Sequence, residues 1–370
     1  MSGDTYPKFK VAAVQAEPVF LDREATVDKA CSLIEEAGRN GAKIIAFPEG
    51  FIPGHPDWLY FYVPDDAMKR FYPDFFKNSI EVPGPDTERL GRAARKADAY
   101  VAIGISERVH GHMGSLYNSI LFLDPEGQVM GVHRKLVPTT SERLVWGPGD
   151  GSTLTVYPTK YGELGGLLCG ENTNSLARFT LLAQGEKIHT AHWPAFPTEG
   201  NKAGIDGVDL RIRYHAYEGK CFVISSSAVF GDDSVKRLCL TDQARSLVSK
   251  GNCVSGVVNP YGKYIGGPLQ GEEGIVYADV DLEQMIFAKT LHDVTGHYNR
   301  FDVLSVLYQR RKPKPLIVVE EDEAGNSAGK LTALIQSALT KLESKEELRA
   351  AAASEIAELR GMLARISSAD

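Results

Sequence analysis

Gly165-Gly166-Leu167-Leu168-Cys169-Gly170-Glu171-Asn172 runs from small and apolar residues into a lone cysteine and then turns polar. That order predicts a buried strand that delivers a thiol to the mouth of a helix. Asn174, or one of Asn172 and Thr173, can cap that helix, and Leu176, Phe179, Leu182 and Ala183 follow at a helical period. Backbone N–H groups and the positive end of a helix both favour thiolate. The layout is that of a nucleophile elbow with sulfur in place of oxygen. A lone cysteine at a strand end is more often a small buried hydrophobe, so Cys169 reads as a nucleophile only in company.

Before this stretch, Phe9–Ala16 reads as a buried strand. Ala25–Gly38 follows as a helix with Val27, Ala30, Cys31, Ile34 and Ala37 on one face, and Ala42–Phe47 as a second strand. Strand, helix, strand is a right-handed parallel crossover. Phe51–Tyr72, rich in aromatics, prolines and glycine, is expected to be an ordered loop over a pocket. A helix at Thr87–Ala97 and strands at Tyr100–Ser106 and Tyr117–Leu123 come next, then a turn at Asp124–Gly127 into Val129–His133. A strand at Thr153–Pro158 is expected ahead of the cysteine strand. Beyond it come a strand at Lys187–Trp193, a helix at Leu210–Tyr217 and a strand at Cys221–Val229. Val254–Val258 and Ile275–Asp281 are expected to pair antiparallel around the turn Asn259–Gly262. Crossovers followed by hairpins in both halves predict two similar sheets, and the hairpins count against one purely parallel sheet.

The 370 residues are 43% hydrophobic and 24% charged, with a net charge of −7. An interspersed acidic excess argues against a nucleic-acid groove, and the basic run Arg310–Pro315 reads as a solvated linker. The polar start implies no secretory signal, and no apolar stretch reaches the roughly 18 residues that cross a bilayer. Five irregularly spaced cysteines fit neither a disulfide framework nor a zinc site; no metal and a reducing, cytoplasmic setting are expected. From Pro313 the composition shifts, so the chain divides into a main domain, 1–310, and a linker and helical tail, 311–370. Glu320–Glu323 is acidic, Ala324–Gly329 is flexible, and Leu331–Ile366 is a long helical stretch with a narrow apolar stripe. That helix either finds a partner or frays in solvent.

Glu49, Lys135 and Cys169 each stand where an apolar strand is expected to end. Strand ends on one edge of a sheet converge, and ligands of open α/β sheets bind there. Singly they read as a turn carboxylate, a surface cation and a filler. Together a base, a cation and a thiol make a nucleophilic set.

The segments Phe47-Pro48-Glu49, Arg134-Lys135-Leu136-Val137-Pro138-Thr139 and Leu168-Cys169-Gly170-Glu171-Asn172 resemble the catalytic segments of the nitrilase superfamily, in order, within a match from about Lys8 to about Leu307. The resemblance implies a four-layer αββα sandwich, a Glu49–Lys135–Cys169 triad and a second carboxylate, matched by Glu142. It also implies homodimers that stack into spiral homo-oligomers, and no cofactor. Glu171, the run Glu142–Gly147 with Gly149-Asp150-Gly151, and Gly296–Asp302 resemble the nitrile-hydrolysing branch. The chain departs from that branch at Gly170, where tryptophan is common, and at Phe301, where proline is common; the first change is expected to enlarge or loosen the pocket. The implied activity is conversion of a small organic nitrile to a carboxylic acid and ammonia, with amide released if thiolate leaves first. An amidase or N-carbamoyl hydrolase, a cyanide hydrolase and a non-catalytic assembly protein are the alternatives. The Gly170 N–H is an expected stabiliser of developing charge. Trp193, Tyr60 and Trp58 are candidates to line the pocket or to pack in the core, and Asn118 is a candidate to position Glu49 or Lys135. His133 and His297 are expected to be packed and hydrogen-bonded, and Cys221 and Cys253 to be structural.

Overall fold

The computed structural model describes residues 3–201, 203–314 and 316, with short helical pieces at 335–337, 357–358 and 360–361. Apart from those pieces, the acidic run Glu320–Glu323, the stretch Ala324–Gly329 and the striped helix expected over Leu331–Ile366 lie outside the described residues. The chain falls into two compact units, Met1–Lys312 and Pro313–Asp370.

The first unit begins with β1 (Lys8–Gln15), α1 (Arg23–Arg39), β2 (Ala42–Ala46), α2 (Pro64–Asn78), β3 (Ile80–Glu81) and α3 (Pro85–Ala97). It continues through β4 (Tyr100–Arg108), β5 (Leu116–Leu123), β6 (Val129–Arg134), β7 (Trp146–Gly147), β8 (Glu163–Leu168), α4 (Ser175–Ala183) and β9 (Glu186–Trp193). Then come α5 (Ala203–Gly219), β10 (Phe222–Ser227), α6 (Asp232–Leu238), α7 (Asp242–Ser246), β11 (Val254–Val258), β12 (Tyr264–Gln270), β13 (Gly274–Asp281) and α8 (Glu283–Leu291).

The first sheet runs β13-β1-β2-β4-β5-β6, with β3 beside β4 and β7 beside β5; the second runs β12-β11-β10-β9-β8. Each holds three parallel strands followed by two antiparallel ones, β1-β2-β4 then β5-β6, and β8-β9-β10 then β11-β12. The expected repetition of two similar sheets is therefore present.

Side-chain alternation makes the layers. Along β1, Ala12 and Val14 face α1 and α3, whereas Val11 and Ala13 face the second sheet. Both faces are buried, which is why the strand reads as an unbroken apolar run. Between the sheets, Ile44, Ala46, Ile120 and Phe122 meet Leu164, Leu168, Ile188, Phe222 and Ile224. On the far side, Val208, Ile212 and Ala216 of α5 cover Ala191, Val223 and Val258. The result is helix, sheet, sheet, helix. The Asp22 carboxylate starts α1 by accepting from Ala25 N at 3.1 Å.

Four expectations need correction. No strand forms at Thr153–Pro158; Asp150 closes a 3₁₀ turn at Gly151–Thr153 through Ser152 N, and only a Tyr157–Leu164 bridge remains. The loop expected to Tyr72 ends at Val63. Pro64 sits where a helix needs no N–H, and Ala67, Phe71 and Phe75 bury one stripe of α2. The hairpin partner of β11 is β12, which Gly266-Gly267-Pro268 hides from strand propensity and which survives as a sheet edge. The strand at Gly274–Asp281 instead crosses to β1, from Lys8 opposite Asp281 to Gln15 opposite Gly274. Finally, α4 is turned from its expected face: Ala177, Leu181 and Leu182 are buried and Leu176 is exposed.

Candidate active site

Three strand ends bring the site together. Past β2, the segment Phe47–Glu49 stays tied to β4 through Phe47 N to Ala102 O at 2.8 Å and Gly104 N to Pro48 O at 3.1 Å. Glu49 N then donates to Trp193 O at 3.2 Å, so the carboxylate of the first sheet is pinned to the end of β9 in the second. His192 adds a second tie, its Nδ1 lying 2.6 Å from Phe47 O. Past β6, Lys135 N donates to Asn118 O at 2.8 Å. Past β8 comes Cys169.

Lys135 Nζ lies 2.8 Å from Glu49 Oε1 and 2.7 Å from Glu142 Oε2, with both Lys135 and Glu49 side chains wholly out of solvent. Asn118 Nδ2 donates to Glu49 Oε1 at 2.7 Å and Thr139 N to Glu142 Oε2 at 2.8 Å. His55 Nε2 faces Glu142 Oε1 at 3.5 Å, while its Nδ1 lies 2.7 Å from Asp57 Oδ1. Glu49 Oε2 is buried without a hydrogen-bond partner among the described residues.

Charge follows from these distances. Burial raises the Glu49 carboxyl, Lys135 opposes it and Glu142 adds to it, for a net upward shift. Burial also works against charge on Glu142, but Lys135 and His55 hold it well below the usual carboxylate range. Burial opposes the His55 cation too, yet Asp57 and Glu142 push it up to about 10. Lys135 stays charged for the same reason, held by both carboxylates. The cluster thus combines a fixed ammonium, a fixed carboxylate and a second carboxylate poised nearer neutrality.

Cys169 sits at the elbow with φ +44°, in the left-handed region that a β-carbon disfavours. A 3₁₀ turn, Cys169–Thr173, separates it from α4, whose N-cap is Asn174, accepting from Leu176 N and Ala177 N. Asn174 is one of the expected caps, so the thiol lies one 3₁₀ turn ahead of the helix. The helix starts beyond the turn, and burial, then the Glu49 and Glu142 charges, push the thiol up to about 12. Lys135 and the Gly170 N–H pull the other way. Glu171 braces the elbow, its carboxylate taking Leu136 N at 2.9 Å, Leu168 N at 3.1 Å and His133 Nε2 at 2.9 Å. A protonated thiol within electrostatic reach of an unpartnered, upward-shifted carboxylate is a combination from which an acid–base pair can generate the nucleophile on demand.

Residues 10–290 match the family model described as carbon-nitrogen hydrolase. The chain belongs to the carbon-nitrogen hydrolases of the nitrilase superfamily. A nitrilase of Bacillus sp. (strain OxB-1) is 39% identical over 335 residues, covering 87% of this chain and 97% of its own. An aliphatic nitrilase of Rhodococcus rhodochrous is 39% identical over 312 residues, covering 83% and 84%. Among solved structures, Saccharomyces cerevisiae Nit3, a member of branch 10 of the nitrilase superfamily, superposes with a TM-score of 0.62 at 24% identity, covering 80% of this chain and 97% of its own.

The remaining candidates of this carbon-nitrogen hydrolase divide clearly. Tyr60 is close enough to Asp57, Glu142, Cys169 and Glu49 for their charges, after burial, to raise its phenol. Gly170 lines a cavity of about 310 Å³ with Thr139 and Arg143, and a β-carbon on it would meet only Thr139 Oγ1, at 3.4 Å. Trp193 is fully buried in the cluster against which Cys169 packs, its Nε1 donating to Ser225 Oγ at 3.0 Å. Trp58 is fully buried, stacked on Phe71 and edge-on to Phe75. His133 is packed and bonded as expected, but His297 is exposed, because its segment lies on the surface of the chain. Cys221 and Cys253 are buried. Sequence reasoning missed His55 and Asp57; two ionisable residues inside an otherwise aromatic stretch were the available signal. Among the described residues, Glu49, His55 and Glu142, and separately Glu186, His215 and Cys221, place donor atoms within 4.8 Å of one another. In the first group Lys135 already supplies the cation.

Proposed function

We propose that this chain is a nitrilase that hydrolyses small organic nitriles to carboxylic acids and ammonia. The observation that carries the reading is the unpartnered, buried Glu49 oxygen in a cluster with Lys135 and Glu142 whose charges reach Cys169, in a chain 39% identical to nitrilases.

Glu49 takes the thiol proton as the Cys169 sulfur bonds to the nitrile carbon. Charge develops on nitrogen, where Lys135 and the Gly170 N–H act, each such donor being worth on the order of 3 kcal/mol. Return of the proton to nitrogen gives a thioimidate. Water, deprotonated by Glu49 and oriented by Glu142, adds to its carbon, and the tetrahedral adduct expels ammonia to leave a thioester. A second water releases the acid and restores the thiol. Expulsion of the thiol before ammonia gives the amide instead. Asn118 orients Glu49, and Tyr60, Trp193 and Gly170 border the substrate.

Ammonia release from a panel of nitriles and the matching amides tests this reading. Nitrile turnover with a thioimidate or thioester mass on Cys169 supports it. Amide turnover exceeding nitrile turnover assigns an amidase, preferred cyanide turnover a cyanide hydrolase, and no adduct a non-catalytic protein.

The division into a hydrolase domain, 1–310, and an assembly tail, 311–370, belongs to the same proposal, as do homodimers stacked into spirals and a cytoplasmic setting. Exposed Leu210, Tyr214 and Tyr217 on α5, exposed Phe301, Leu304 and Leu307, and five free cysteines are what support it. Deleting Ala324–Asp370 is expected to shrink or disorder the particle and to spare the thiol chemistry; unchanged sedimentation would remove the tail from assembly.

A further inference from the structure

Behind the elbow, on the helix-facing side of β9, lies a buried polar chain that the proposed reaction does not use. Glu186 Oε1 is 2.8 Å from His189 Nδ1, and His189 Nε2 is 2.9 Å from Asn172 Oδ1. Asn172 Nδ2 donates to Leu167 O at 3.1 Å and to Cys169 O at 3.2 Å. From α5, His215 Nε2 stands 3.2 Å from Glu186 Oε2, and its ring lies 4.0 Å from that of His189. Glu186, His189, Asn172 and His215 are all buried. Asn172 therefore grips the carbonyls on either side of Leu168, whose own N–H is taken by Glu171. Together they hold a turn whose central residue has the disfavoured φ of +44°.

The protons can be counted. Asn172 must aim its NH₂ at the two carbonyls, so its oxygen faces His189, and His189 must donate from Nε2. His215 Nδ1 has no partner among the described residues, so the His215 proton belongs on Nε2, donated to Glu186. Between Glu186 and His189 Nδ1 there is then room for one proton, held either as carboxylic acid with neutral imidazole or as carboxylate with imidazolium. Burial raises Glu186, and burial together with Arg178 lowers His189 to about 3. Both shifts select the neutral pair.

We propose that Glu186, His189 and Asn172 are positioning residues that clamp the Cys169 elbow, with Glu186 donating as a carboxylic acid to His189 and His189 donating to Asn172. The inference rests on Cys169 being the nucleophile. It makes a specific claim about Glu186→Gln, because a glutamine amide supplies the same donor to His189 Nδ1 and the same acceptor to His215. Glu186→Ala and His189→Phe remove the donor or the link.

The test is the rate of Cys169 carboxamidomethylation by iodoacetamide, followed by peptide mass spectrometry with half-buried Cys31 as internal reference; it requires no knowledge of the substrate. His189→Phe and Glu186→Ala are expected to slow Cys169 by about ten- to a hundred-fold, the scale of a misplaced nucleophile, with Cys31 unchanged. Glu186→Gln is expected to stay within about threefold of the parent. On any nitrile the parent turns over, kcat falls in the slowed variants while KM holds. Parent-like alkylation in folded His189→Phe overturns the clamp. Should that variant not fold, Glu186→Gln as slow as Glu186→Ala, or itself unfolded, overturns it. Failure of the nitrilase reading shows separately, as absent nitrile turnover by the parent chain.

Discussion

Gly104 in β4 sets how closely the base-bearing segment lies against the first sheet, and Gly104→Ala tests that control. Its N–H donates to Pro48 O at 3.1 Å and its carbonyl accepts from Ile52 N at 3.3 Å. A β-carbon there would stand 2.7 Å from Glu49 Cα and 2.5 Å from Gly50 N, and closer still to the Pro48 carbonyl oxygen. An ordinary contact is about 3.5–4.0 Å, so the segment 48–50 must retreat by about 1 Å. The obstacle is backbone, so no side-chain rotamer can relieve it. Glu49 would then leave its 2.8 Å contact with Lys135 and its 2.7 Å bond from Asn118, and the proposed base would be misplaced. The expected result is a kcat lower by about a hundred-fold with little change in KM, the signature of a misplaced catalytic group. Overpacking is expected to lower stability by about 1–3 kcal/mol. Steady-state ammonia release and urea unfolding read the two effects. A variant that loses stability but keeps kcat within about threefold would refute the link between this contact and the base.

Further outcomes follow from the same geometry. Cys169→Ala and Glu49→Gln are expected to abolish turnover and leave the circular dichroism spectrum unchanged; residual activity in either would break the assignment. Lys135→Ala is expected to abolish turnover and also to cost about 3–5 kcal/mol in denaturant unfolding, because Glu49 and Glu142 would remain buried without their cation; an unaffected midpoint would show that the cluster relaxes. His55 carries a pH signature. Its folded value of about 10 lies above the ordinary 6.5, so its contribution is full below 6.5 and fades as pH rises through about 10. The stability gap between the parent and His55→Gln should shrink over that rise, and a gap that widened would place the charge elsewhere.

The strand ends were legible because strands buried on both faces read as apolar runs, and a run must stop where the chain turns polar. Glu49 and Cys169 each mark such a stop, whereas Lys135 follows the half-buried β6, which turns polar at His133 and Arg134; the repeated crossover-then-hairpin pattern marks the two sheets. Elements whose local chemistry contradicts their structure were not legible. The edge strand β12 carries two adjacent glycines and a proline, and α2 looks like loop until Ala67, Phe71 and Phe75 are placed on one face.

For this protein, then, the sequence by itself determined where buried strands end and which reactive side chains stand at those ends, since burial on a strand is a local, periodic property. Only the tertiary structure decided what those side chains become. The Cys169 thiol is held protonated by burial and by Glu49 and Glu142, all of it brought from other strand ends and loops. His55 against Glu142, Gly104 against residues 48–50, His189 against Asn172 and His215 against Glu186 act across the chain, although Asp57 and Glu186 reach their histidines locally. The physical reason is that charge and close approach depend on which residues the sheet order sets face to face, and no local pattern encodes that order.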